Sequence, residues 1–219
     1  MLYFLFFLTI FGISFAFCES AVVVYLRKLY YIDNVLFPLK EMPKNILIVE
    51  VLREFSTLVI LFSSSVVIGK LRQNRIATFF YLFGVWDIFY YIFLYFLIKW
   101  PKSLFDWDIL FLIPFPWISP VYAPLLCSIS FITFSILIFY FTNEGYPIPI
   151  LFKDFILFFI SVFLILLSFF SQTSKVLNNQ IPEKFPNLLF FLGFILLNLT
   201  FIIKFIKIYL KYSNNKRLI

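Results

Sequence analysis

The chain is built from long apolar runs separated by short polar connections. Residues 1–26 are apolar apart from Glu19 and a few small polar side chains. A polar connection over 27–45 follows, with Arg27, Lys28, Asp33, Lys40, Glu41 and Lys44. Apolar character resumes over 46–69, stops at a basic turn carrying Lys70, Arg72 and Arg75, and returns over 76–98. Further apolar runs cover 121–142, 151–171 and 187–210. Each comes close to the roughly 20 residues a helix needs to cross hydrocarbon. The runs are continuous and do not alternate, which argues against barrel strands. The pattern predicts an all-α, polytopic transmembrane bundle of about six spans, in a single membrane domain covering 1–219.

One stretch departs from this rhythm. Between Gly84 and Pro124 lie all four tryptophans and five of the eleven prolines. Elsewhere the chain is rich in Phe, Ile, Leu, Lys and Asn, the residues of an AT-rich coding background, so this clustering points to a segment that needs those side chains. Pro114, Pro116, Pro120 and Pro124 each remove a backbone donor and disfavour helix at the residue before. A regular helix is not expected from 113 to 120. Non-helical backbone at membrane depth is tolerated only against protein or a wet cavity. The segment 109–120 is therefore expected to be re-entrant or interfacial, a lid preceding the fourth span.

Composition strengthens the membrane reading and narrows the chemistry. The chain is 63% hydrophobic over 219 residues, well above the apolar share of a soluble domain. The N-terminal run has no Lys or Arg before Arg27 and no small-residue cleavage site, so it is expected to be retained and not removed as a signal peptide. The net charge of +7 is read as loop and tail charge facing anionic lipid, and no nucleic-acid partner is expected. That charge includes a basic C-terminal tail of Lys204, Lys207, Lys211, Lys216 and Arg217. The basic tail and the 70–75 turn fall on the side of both termini, which assigns that side to the cytoplasm of a cell membrane, the inner membrane of a bacterium. Cys18 and Cys127 sit in apolar runs and form neither a disulfide pattern nor a metal motif. Histidine is absent, which removes the commonest metal ligand and general base.

Candidate chemistry rests on charge inside the apolar runs. Glu19 lies in the first span, and Arg27 follows two helical turns later on the same face. Glu50, Arg53 and Glu54 share one side of the second span by i,i+3 and i,i+4 spacing. Asp87 lies near the middle of the third, with Tyr90 and Tyr91 within reach of its face. The topology brings all of these to one half of the bilayer, under the Trp/Pro segment. An ionised side chain at a helix centre costs roughly 2.5–3.5 kcal/mol, so such groups turn inward and seek partners. The expected pairs are Glu50 or Glu54 with Arg53, and Glu19 or Asp87 with Arg27 or Arg53. The acids outnumber the arginines, so a leftover carboxylate should bind a cation or take up a proton.

The leading reading is a small transporter or ion/proton-handling protein. Its site is Glu19, Glu50, Glu54, Asp87, Arg27 and Arg53, with Tyr90, Tyr91, Trp107, Asp108 and Trp117 as lid or support. The plainer reading is a structural polar network in a non-catalytic subunit or scaffold, with a membrane protein as partner. A carboxylate-only site for Mg, Ca or Mn in a membrane enzyme is third. No organic cofactor is expected; a bound cation is the one candidate. An aspartyl-protease pairing of Asp87 with Asp108 lacks the glycine-rich context of that class. Walker and dinucleotide motifs are absent.

The segments ESAVVVYLRKLYY, EVLREFSTLVIL, FGVWDIFYY and SLFDWDILFLIPFPWISPVYAP resemble uncharacterised polytopic membrane proteins of bacteria, over about residues 17–125. The resemblance implies a similar multi-span architecture and carries no activity.

Overall fold

The computed structural model describes residues 1–31, 36–40, 42–149 and 151–216. Asp33, Glu41 and Arg217, which the sequence places in the first connection and the tail, lie outside the described residues. The bundle consists of α1 (Leu2–Tyr30), α2 (Lys44–Ile68), α3 (Arg72–Ile98), a hairpin of β1 (Trp107–Ile109) and β2 (Ile118–Pro120), then α4 (Tyr122–Asn143), α5 (Phe152–Phe170), the short α6 (Thr173–Leu177) and α7 (Asn187–Lys216). Among the described residues five helical stretches are long and apolar enough to cross a membrane: α1, α3, α4, Phe152–Leu177 and the part of α7 up to Lys211. α2 has 25 residues but carries Lys44, Glu50, Arg53 and Glu54 in its first half, and it is not among the five. Outward faces are apolar: Val67 is 85% exposed and Phe159 64%. Water would not tolerate such a surface, but lipid does. This is the surface of an integral membrane protein.

The observed helices differ from the apolar runs mainly at their ends. α1 continues to Tyr30, so Arg27 stands on its last turn, because no glycine or proline interrupts the run between Gly12 and Pro38. α3 begins at Arg72 and takes up most of the basic turn. It stops at Lys99, in the left-handed conformation with φ 57°, where Pro101 disfavours helix at Trp100. The polar connection after α5 contains α6, where the hydrophobic pattern predicts only loop.

α3 is the central helix. It packs broadly against α1 and α4, and α2 lies along it. α5 and α7 form a second pair that meets α4 more lightly. Close approach of α3 to α4 and of α5 to α7 depends on two glycines. A Cβ on Gly84 would stand 2.8 Å from Ile132 Cγ1 and 2.7 Å from the Ser128 carbonyl oxygen. One on Gly193 would meet the Ser161 carbonyl at 2.7 Å. Small residues let membrane helices approach this closely. Gly84→Ala should therefore push α4 away and cost about 1–3 kcal/mol, read as a lower unfolding midpoint in detergent.

Between α3 and α4 the chain is non-helical over residues 99–121, where Pro101, Pro114, Pro116 and Pro120 disfavour helix. Its two strands run antiparallel, with Trp107 opposite Pro120, Asp108 opposite Ser119 and Ile109 opposite Ile118. The pairing continues through Leu110 N–H to the Trp117 carbonyl and Trp117 N–H to the Phe111 carbonyl, both at 2.8 Å. Pro114 and Pro116 occupy the turn, where missing donors cost nothing to the ladder. The hairpin rests on α4 and α5.

The opposite end of the bundle is closed by polar ties. Gln73 donates to the Ile148 carbonyl at 2.6 Å and accepts from Ile148 N–H at 3.0 Å. Lys204 on α7 pairs with Asp154 on α5. Lys207 and Lys211 farther along α7 are exposed.

Candidate functional site

A cavity of about 410 Å³ lies between the α1–α4 group and the α5/α7 pair. α1 supplies Glu19 and Arg27, α2 supplies Glu50, Arg53 and Glu54, and α3 supplies Asp87, Tyr90 and Tyr91. From the hairpin come Asp108 and Trp117. The structure thus gathers all six charged residues singled out in the helices, and four of the five lid candidates, around one space. Trp107 is the exception. It packs elsewhere, edge-on to Phe185 at 6.3 Å.

The carboxyls are buried: Glu19 is 6% exposed, Glu50 5%, Glu54 8%, Asp87 8% and Asp108 2%. Arg53 serves two of them. It pairs with Glu19 across the helices and with Glu50 at 2.9 Å on its own helix. Thr57, one turn beyond Arg53, donates its hydroxyl to Glu19. Glu54 pairs with no cation; it accepts the backbone N–H of Leu112 at 2.7 Å and so ties the hairpin to α2. Asp87 likewise takes no cation and accepts the Ser128 hydroxyl at 2.7 Å. Among the described residues neither Glu54 nor Asp87 forms an ion pair.

Arg27 behaves differently from the expectation that it would meet Glu19 or Asp87. It reaches Asp108 at 3.4 Å and stacks over Trp100, with its Cζ 3.7 Å from the ring centroid. Its position on the last turn of α1 puts it level with the hairpin, one helical turn or more beyond Glu19. Tyr91 also turns to Asp108 and not to Asp87, donating its hydroxyl at 3.0 Å. Burial drives the Asp108 carboxyl above its ordinary value, while the Arg27 guanidinium and the Tyr91 hydroxyl draw it back down.

Two fully buried donors meet no acceptor among the described residues: Arg27 Nη1 and Trp86 Nε1. The rest of the wall is apolar and aromatic, with Phe83, Phe111 and Phe131 on one side and Phe158, Ile165 and Phe169 on the other. The site therefore has a charged end beside the hairpin and a hydrophobic body between the two helix groups. Its lining carries five carboxyls and two guanidinium groups. Among the described residues no three His, Cys, Asp or Glu side chains stand close enough to hold a metal ion.

Four contributors are not singled out by the sequence pattern. Thr57 has a usable signal, being four residues after Arg53 and so on its face. Ser128, Trp86 and Trp100 have none, because nothing local says which turn of α4 faces Asp87 or which indole faces inward.

The fold and site define a multi-pass helical membrane protein with a buried, charge-lined cavity. Comparison with known protein families, with characterised proteins and with solved structures finds no match for this chain.

Proposed function

We propose that the protein is a small transporter or ion/proton-handling protein of the cell membrane, with the charge-lined cavity as its site. In this reading Glu54 and Asp87 exchange a proton or a cation. Arg53 pairs with Glu19 and Glu50 and Arg27 with Asp108, so the two carboxyls without a cationic partner are Glu54 and Asp87, while the single Arg53 charge offsets one of the two carboxyls it holds. The observation that carries the reading is the pairing pattern. Carboxyls from three helices and a hairpin share one cavity, yet Glu54 and Asp87 have only neutral hydrogen-bond donors. An ionisable group kept at membrane depth without a partner is expensive, and such groups mark ion and proton pathways. A purely structural network would be expected to satisfy every charge. Both termini face the cytoplasm, where Arg72, Arg75 and the lysines at the end of α7 meet anionic lipid.

The test uses the full chain reconstituted into vesicles. Glu54→Gln and Asp87→Asn each keep the hydrogen-bond acceptor while removing the charge, so the fold should survive. The double variant is expected to lose proton and monovalent-cation flux. If it folds normally and flux is unchanged, the protein is a scaffold or subunit whose partner does the chemistry, and the transport reading is wrong.

A further inference from the structure

A second cavity, of about 360 Å³, continues from the first towards the end of the bundle that the Gln73 and Lys204 ties close. It too lies between α3 and α4 on one side and α5 and α7 on the other. Four residues line both cavities: Phe80 from α3, Phe131 from α4, Phe158 from α5 and Leu197 from α7. We propose that the two cavities are the halves of one transmembrane path, and that these four side chains are its gate, here closed. This rests on the transport reading of the charged cavity and adds its route and its barrier.

The order of residues along each helix puts the partition at one level. On α3, Gln73, Phe80 and Asp87 follow one another at seven-residue spacing, two helical turns each, so they share a face. Gln73 lines the second cavity, Asp87 the first, and Phe80 both. On α4 the lining runs from Cys127 in the first cavity through Phe131 to Ser135 in the second. α5 runs the other way, from Asp154 in the second through Phe158 to Val162 in the first. On α7, Leu197 meets both, and Thr200 and Lys204 meet the second. Each helix thus contributes one residue to the same junction.

The junction is three phenyl rings and a leucine, with the Phe80 and Phe131 centroids 4.8 Å apart. An apolar constriction holds ions back while it is dry and passes them once it is wetted. The two sides are built to move as units. α3 packs broadly on α4, and α5 on α7, each pair drawn close at a glycine, Gly84 or Gly193. Between the pairs the packing is light. Its seam is α4 against α7, where Phe134 stacks on Phe201 at 4.6 Å and the Ser130 hydroxyl donates to Asn198 at 3.0 Å. Ser130 and Asn198 are the chain neighbours of Phe131 and Leu197, so this bond holds the seam at the level of the gate. Rocking about that seam would part Phe80 from Phe158 and join the two cavities. A proton or cation released from Asp87 would then leave past Gln73 and the Asp154–Lys204 pair.

Flux of protons and monovalent cations through the full chain in vesicles tests the gate. Phe131→Ala and Phe158→Ala should each raise flux by about tenfold or more, because each thins the apolar barrier. Phe163→Ala, on the same helix as Phe158 but 60% exposed on the outer face, should leave it unchanged. A second measurement uses the milder Phe131→Leu and does not depend on flux. In a Cys18→Ala, Cys127→Ala background, a membrane-impermeant thiol reagent should label Val162→Cys from the hairpin face and Thr200→Cys from the opposite face. Adding Phe131→Leu should speed labelling of each from its far side by about tenfold. Unchanged flux in both alanine variants overturns the inference. So does labelling of both cysteines from both faces with the gate intact, or of neither from either face. If flux depends on Glu54 and Asp87 but not on the gate residues, only the inference falls. If flux is absent or independent of both carboxyls, the transport reading falls, and the sidedness of labelling still decides whether the gate exists.

Discussion

Arg53→Ala should be the most damaging single substitution in the chain. It would strand two buried carboxyls at once, Glu19 on α1 and Glu50 on α2, which share the Arg53 guanidinium as their one cationic partner. Removing one partner of a buried ion pair costs about 3–5 kcal/mol, because the charge left behind has no water to solvate it. The effect should be larger than for an ordinary core residue, because α2 joins the bundle along α3 alone over any broad area, and the bridge to Glu19 is its charged tie to α1. The expected outcome is loss of folded protein in detergent, measured by unfolding midpoint and by protease sensitivity of α2. The mechanism has a signature. Adding Glu19→Gln and Glu50→Gln to Arg53→Ala should recover most of the stability, since the stranded charges are then gone. A simple packing defect would not be rescued that way.

Arg27→Ala should come next. It leaves Asp108, only 2% exposed, without its cation, and it removes the guanidinium from the face of Trp100. The expected cost is again about 3–5 kcal/mol, concentrated on the hairpin and not on the helices. Amide hydrogen exchange should show the residues around β1 and β2 losing protection while α5 and α7 keep theirs. A double-mutant cycle with Asp108→Asn should give a coupling of about 0.5–3 kcal/mol, the range for residues in direct contact. Additivity would mean that the pair does not hold the hairpin.

Much of this architecture is legible in the amino-acid sequence alone, and the reasons differ by scale. The helical bundle follows from run length and apolar continuity. The non-helical segment follows from proline spacing. Glu50 and Arg53 share a face because three residues on a helix span most of a turn, and that pair is observed. Partners distant in the chain are less accessible. Arg27 and Asp108 are 81 positions apart, and their meeting depends on α1 running on to Tyr30 and on the hairpin register, neither of which a hydrophobic pattern specifies. Asp87 and Ser128 meet because Gly84 lets α3 and α4 close together, and that contact sets which turn of α4 faces inward. Trp107 and Asp108 look equivalent as neighbours beside the cavity; only the packing reveals that Asp108 lines it while Trp107 stands against Phe185. The charged cluster is visible because hydrocarbon penalises every charge it holds. The aromatic wall is not, because in so phenylalanine-rich a chain an inward ring and a lipid-facing ring read alike.

The proposed activity depends on Glu54 and Asp87 keeping exchangeable protons or cations in a cavity where the other three carboxyls each have an arginine partner. Infrared difference spectroscopy of the protein in vesicles, following the carbonyl band of protonated carboxylic acids as the pH is cycled, observes this directly. The expected result is a reversible band in the wild type that shrinks stepwise in Glu54→Gln and Asp87→Asn and disappears in the double variant, with Glu19→Gln leaving it in place. A wild-type protein with no such band and no exchangeable cation, or a band that survives in the double variant, would contradict it.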